Sequence, residues 1–222
     1  MALLGHILKA VKPSSTLAIT KLAADMRRNG IDVIGLSQGE PDFPTPDHIN
    51  AAAKAAIDKG QTKYTDVDGT LELKEAIVRK FKRENNLEYK TSEITVGTGG
   101  KQVLFNALLA TMDPGDEVII PAPYWVSYPD MVRMAGGTPV EVVCPESQNF
   151  KITAAQLKKA ITPRTKWIIL NSPSNPTGAG YTVQELREIG NELLNHPHVY
   201  VMTDDMYEHL RYDGWEFSTI AA

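Results

Sequence analysis

Side chains able to do chemistry recur in this sequence directly after short apolar runs. After residues 94–97 comes Thr98-Gly99-Gly100-Lys101-Gln102, a glycine turn at the head of a helical pattern. Backbone N–H groups at a helix N-terminus bind phosphate, and Lys101 adds positive charge. The turn is not a dinucleotide fingerprint, which needs Gly where Gln102 stands. Nor is it a P-loop, which needs Gly at the position of Thr95 and Ser or Thr at that of Gln102. After residues 117–120 comes Pro121-Ala122-Pro123-Tyr124-Trp125, an aromatic pair on a proline-stiffened loop that could stack on a flat ring. After residues 166–170 comes Asn171-Ser172-Pro173-Ser174-Asn175-Pro176-Thr177-Gly178. Its prolines remove two backbone donors and hold φ, and its Ser, Asn and Gly favour tight turns. After residues 199–203 come Asp204 and Tyr207. Each feature alone has an ordinary structural explanation: a turn, a packed Trp, an N-cap, an ion pair. Together they supply phosphate donors, a stacking ring, an amide, a phenol and a carboxylate. That set suits one small aromatic, phosphorylated cofactor such as pyridoxal phosphate.

The elements that must position these groups follow from periodicity. Helical spacing appears over residues 16–28, from Pro46 to Gly60, and over 71–85, where Leu73, Ile77 and Phe81 lie four apart. Residues 32–36 read as a short strand. From residue 94 onward, strand, loop and helix repeat. Strands are predicted at 94–97, 117–120, 139–143, 166–170 and 199–203, and helices at 101–112, 126–134, 154–161 and 183–194. Thr182-Val183-Gln184-Glu185 reads as a capping box opening the last helix. Such alternation predicts an α/β fold with a parallel or mostly parallel sheet flanked by helices. In an open sheet of this kind, ligands bind beyond the carboxyl ends of the strands, where the groups above stand.

Bulk properties exclude other classes. The 23 basic and 27 acidic side chains leave a net charge of −4 with no basic block, so no nucleic-acid partner is expected. No apolar run approaches the ~20 residues that span a bilayer, and no signal peptide opens the chain, so no membrane partner is expected and the cytoplasm is the expected compartment. The single cysteine, Cys144, fits a reducing compartment and reads as a small strand residue. His196-Pro197-His198 offers too few ligands for zinc and reads as a solvated turn, so no metal is expected.

The sequence resembles the fold-type I, class I aminotransferases, and within them the prokaryotic aspartate (aspartate/prephenate) branch. The resemblance rests on Gly39-Glu40-Pro41-Asp42-Phe43, Lys63-Tyr64, Gly99-Gly100-Lys101-Gln102, residues 123–128, residues 171–178 and residues 204–208, in the family's order through nearly the whole chain. It implies a three-layer α/β/α large domain from residue 46 to 222, its C-terminal part absent, preceded by an arm and part of a small domain over residues 1–45. It also implies roles. Asp204 would pair with the pyridinium nitrogen, and Asn175 and Tyr207 would bond the ring's phenolic oxygen. Trp125 would stack on the ring, and Gly99, Gly100 and Lys101 would hold the phosphate. Tyr64 would reach the phosphate of a partner subunit, which implies a homodimer. Gly39 would meet the substrate α-carboxylate. Lys101, with Ser15 or Thr16, would meet the distal carboxylate of a dicarboxylic amino acid.

The implied reaction moves an amino group reversibly between an amino acid, with aspartate first, and a 2-oxo acid such as 2-oxoglutarate. The family's Schiff-base lysine, in a later Ser-Lys motif, has no counterpart here, and no lysine present can replace it. The 222-residue chain alone is therefore expected to be inactive. Two alternatives stand beside this: a non-catalytic remnant that binds cofactor or a partner, and a lyase or decarboxylase of the same fold.

Overall fold

A computed structural model describes residues 3, 5–11, 14–36, 39 and 43–222. The chain forms two compact units, one of Met1–Val11 with Asp68–Ala222 and one of Lys12–Val67.

In the larger unit, four apolar runs become β1 (Glu117–Ala122), β2 (Thr138–Val143), β3 (Thr165–Asn171) and β4 (Tyr200–Asp204). They pair in the order β2-β1-β3-β4, all parallel. Parallel neighbours need crossover connections, and helices provide them. Helix α4 (Gly100–Thr111) precedes β1, α5 (Ser127–Met134) links β1 to β2, α6 (Ala154–Ala160) links β2 to β3, and α7 (Val183–Leu193) links β3 to β4.

Side chains alternate across a strand, so a fully covered sheet feeds two cores. Ile119, Ile168 and Leu170 pack with Leu157 of α6 and with Leu186, Ile189 and Leu193 of α7. Their neighbours Val118, Ile120, Ile169 and Met202 pack with Leu108 of α4 and with Tyr128, Met131 and Val132 of α5. The result is three layers, α/β/α, as the resemblance implied. Cys144 lies buried in the first core as a packing residue.

Local signals fix several helix starts. Thr182 Oγ1 accepts from the Glu185 amide at 3.3 Å while the Glu185 carboxylate accepts from the Thr182 amide at 2.7 Å, the predicted capping box. Thr153 and Gln156 make a second box at α6. Helix α3 (Leu71–Lys80) continues through a wider turn, Phe81–Asn85, and stops at Asn86, whose φ of 54° is left-handed. Among the described residues no helix is long and apolar enough to cross a membrane.

Two predicted strands do not form. Residues 94–97 have no ladder partner among the described residues: Ile94 is buried, and the Val96 amide bonds the Asp68 carbonyl at 3.0 Å. Residues 32–36 are likewise irregular, with the Val33 carbonyl taken at 3.2 and 3.1 Å by the Arg27 guanidinium. A strand is a property of a pair, and an apolar run cannot supply its own partner.

The smaller unit contains α1 (Ser15–Arg28), whose N-cap Ser14 accepts from the Leu17 amide at 3.3 Å, and α2 (Asp47–Asp58).

Candidate active site

The carboxyl ends of β1, β3 and β4 and the start of α4 open onto one cleft. Gly100, Lys101, Trp125, Asn175, Asp204 and Tyr207, all singled out in the sequence, line it. Gly99 stands next to it as the N-cap of α4, with φ 86°, a conformation that suits glycine. No side chain caps this helix, so its first amides remain available to an anion. A Cβ on Gly100 would lie 3.0 Å from the methyl carbon of the exposed Met206 side chain. The Gln102 carboxamide, which breaks both familiar phosphate motifs, accepts from the Thr98 amide and braces the turn from behind.

Asp204 ends β4. One of its carboxylate oxygens accepts from the Tyr128 hydroxyl at 2.6 Å. Tyr128 is almost fully buried, and burial together with the Asp204 charge holds its phenol proton well above the usual tyrosine range. It therefore acts as a fixed donor. The adjacent Asp205 turns away from this bond and accepts from Thr203 Oγ1 at 2.7 Å; its burial raises its carboxyl above the usual range. The two neighbouring aspartates at the end of β4 thus divide into a cleft group and a structural one.

Trp125 meets Tyr128 edge to face, with ring centroids 5.4 Å apart and an interplanar angle of 86°. The Lys101 ammonium sits 4.7 Å from the Trp125 ring centroid. Cation and indole therefore share one wall.

Asn171 ends β3 opposite Asp204. Its carboxamide donates to the Asp204 carbonyl at 2.7 Å and accepts from the Asn175 amide at 2.7 Å. The loop beyond is braced by the bond from the Tyr181 amide to Ser172 Oγ, 3.1 Å, and by the Gly178 amide on the Ser174 carbonyl, 2.7 Å.

The family model for aminotransferase class I and II matches residues 31–221. The chain belongs to the class I and II aminotransferases. It is 62% identical over 221 residues to the aspartate/prephenate aminotransferase of Cereibacter sphaeroides, a match covering 100% of this chain and 55% of that protein. The crystal structure of the aspartate aminotransferase from Rhizobium meliloti superposes with TM-score 0.96 at 53% identity, over 100% of this chain and 55% of that one. The aspartate aminotransferase from Thermus thermophilus with maleate gives TM-score 0.94 at 47% identity, over 98% and 57%. The chain spans about half the length of the curated relatives it matches.

Among the chain's other predicted site residues, Gly39, Thr16 and Tyr64 belong to the smaller unit. Tyr64 is fully exposed, and Thr16 lies in the first turn of α1, where its carbonyl accepts from Thr20 Oγ1 at 2.8 Å. Residues 40–42 of the Gly39–Phe43 motif, and the side chain of Ser15, lie outside the described residues. Sequence reasoning gave no role to Tyr128 and none to the Asn171 side chain. Both stand inside motifs that were singled out, but the partner they share, Asp204, lies 76 residues from Tyr128 and 33 from Asn171.

Proposed function

We propose that the whole protein transfers an amino group between aspartate and a 2-oxo acid such as 2-oxoglutarate, with pyridoxal phosphate held in the cleft. The observation that carries this is the convergence of Asp204, Asn175, Tyr207, Trp125 and the head of α4 on one cleft, with Asp204 held by the buried Tyr128. These donors fit the group. The glycine turn, uncapped by any side chain, offers amides for a phosphate. Trp125 offers a face for the ring. Asn175 and Tyr207 offer polar groups for its phenolic oxygen, and Asp204 a carboxylate for its nitrogen.

When bound, pyridoxal phosphate supplies an electron-poor ring that accepts the electron pair released as the amino acid loses its α-proton. The residues of this chain hold and tune it. Asp204 keeps a proton on the ring nitrogen, and Tyr128 fixes which way that carboxylate faces. Trp125 covers the ring and excludes water from one side. Lys101 holds a positive charge on the same wall, suited to the distal carboxylate of aspartate. The Thermus thermophilus relative was solved with maleate, itself a dicarboxylate, which supports this assignment. Gly39 and Thr16 are assigned to the substrate's carboxylates, and Tyr64 to the cofactor phosphate of a partner subunit in a homodimer. The arm and small-domain part over residues 1–45, the large domain from residue 46, and the cytoplasm complete this reading. Prephenate is a second proposed acceptor, on the strength of the name carried by the 62% identical relative.

The test is to supply the whole protein with pyridoxal phosphate, aspartate and 2-oxoglutarate and to follow oxaloacetate and glutamate. Equal amounts of both products are expected, and prephenate should replace 2-oxoglutarate as acceptor. Release of ammonia or carbon dioxide without glutamate would instead favour a lyase or decarboxylase. Binding of cofactor with no turnover of any amino acid would favour a binding remnant.

A further inference from the structure

We infer that Asn171 is a positioning residue that sets the spacing between Asn175 and Asp204 through a single carboxamide. This rests on the reading that Asn175 meets the phenolic oxygen, and Asp204 the nitrogen, of one cofactor ring. Asn171 and Asp204 are register partners at the ends of β3 and β4. The Asn171 amide nitrogen donates to the Asp204 carbonyl at 2.7 Å, and its amide oxygen accepts from the Asn175 N–H at 2.7 Å. Only a carboxamide does both at this length. A carboxylate has no proton to donate, a hydroxyl has one atom for two partners, and leucine has neither group. The remaining bonds of residues 173–178 stay within the loop or reach Ala179. Among the described residues the Asn171 bond is therefore the hydrogen bond that ties Asn175 to the sheet end where Asp204 sits.

The two ring contacts are consequently not independent. Loosening Asn171 frees the Asn175 loop and the last peptide of β4 together. A donor to the ring's phenolic oxygen stabilises the anionic oxygen, so misplacing Asn175 raises the pH at which the bound cofactor changes colour. A purely structural asparagine would lower the melting temperature and leave that pH alone.

The experiment uses the whole protein as wild type, Asn171→Leu, Asn175→Ala and the double variant. It records bound pyridoxal phosphate absorbance against pH, cofactor affinity by absorbance titration, and melting without cofactor. Asn171→Leu is expected to raise the midpoint by about one pH unit and to weaken cofactor affinity about tenfold. The double variant should fall clearly short of the sum of the two single shifts, since Asn171 acts in large part through Asn175. If Asn171→Leu fails to fold, Asn171→Ser is read by the same criteria. A lower melting temperature with an unmoved midpoint overturns the inference, as do additive midpoint shifts in the double variant. A wild-type protein that binds no pyridoxal phosphate would overturn the proposed function as well, and is recognised before any variant is compared.

Discussion

The Asp204–Tyr128 bond is the most consequential single contact in the cleft. The proposed role of Asp204 at a ring nitrogen asks for a carboxylate that does not rotate, and a buried phenol 2.6 Å away holds it. Tyr128→Phe keeps the ring packed against Trp125 but removes the donor. It is expected to cost about 1.5–3 kcal/mol, the range for a bond to a charged group, in urea unfolding near pH 7. Loss below that range would show that Asp204 finds another donor. The pH dependence has a definite sign. The native state raises the Tyr128 phenol above its unfolded value through burial, so it holds that proton more tightly than the unfolded chain does. The resulting stability is complete below about pH 10 and is lost as pH rises through the native value. The fall in urea midpoint from pH 8 to pH 11 should be smaller in Tyr128→Phe than in wild type. Asp204 was legible in the sequence because a carboxylate after an apolar run is conspicuous. Tyr128 was not, because its partner lies 76 residues away.

Helix starts were legible where the signal is local. Thr182 and Glu185 are three residues apart, and both halves of their capping box formed. Thr182→Ala is expected to destabilise by about 1 kcal/mol, read from denaturant midpoints. Glu185 is tied further by the Lys151 ammonium, which bonds its carboxylate at 2.7 Å and the Gly180 carbonyl at 3.3 Å. Burial opposes ionisation of Glu185, yet the bonds from Lys151 and Thr182 outweigh it and hold the carboxyl below the usual range. That contribution exists above about pH 4.3 and is lost as pH falls through the native value. Lys151→Met should therefore be less stable than wild type at pH 7, with the gap shrinking by pH 3.5. A gap that persists in acid would assign the effect to packing of the lysine stem. The strands expected at 32–36 and 94–97 failed for the opposite reason. Their apolar runs were read correctly, but a ladder requires a distant neighbour that composition does not reveal.

At the scale of the whole chain, the sheet separates two cores that share strands but not faces. Leu108 and Leu157 are fully buried on opposite sides. Leu108→Ala and Leu157→Ala should each cost about 2–5 kcal/mol. The double variant should match their sum within about 0.5 kcal/mol, because neither side chain shares a cavity with the other. Strong non-additivity in urea unfolding would mean that the sheet transmits strain between its faces. The alternation of apolar runs with helical periods sufficed for the α/β class, for the parallel sheet and for the strand ends as the place to look. Both kinds of signal are repeated within a few residues, so the sequence carries them directly. Its motifs also sufficed for the family. Only the tertiary structure decided the order β2-β1-β3-β4, which neighbouring aspartate faces the cleft, and which buried groups hold the cleft residues in place. Those depend on pairings between residues far apart in sequence, such as Tyr128 with Asp204 and Asn171 with the end of β4. Folding brings such partners together by burying apolar surface around them, and no local pattern in the chain encodes the meeting.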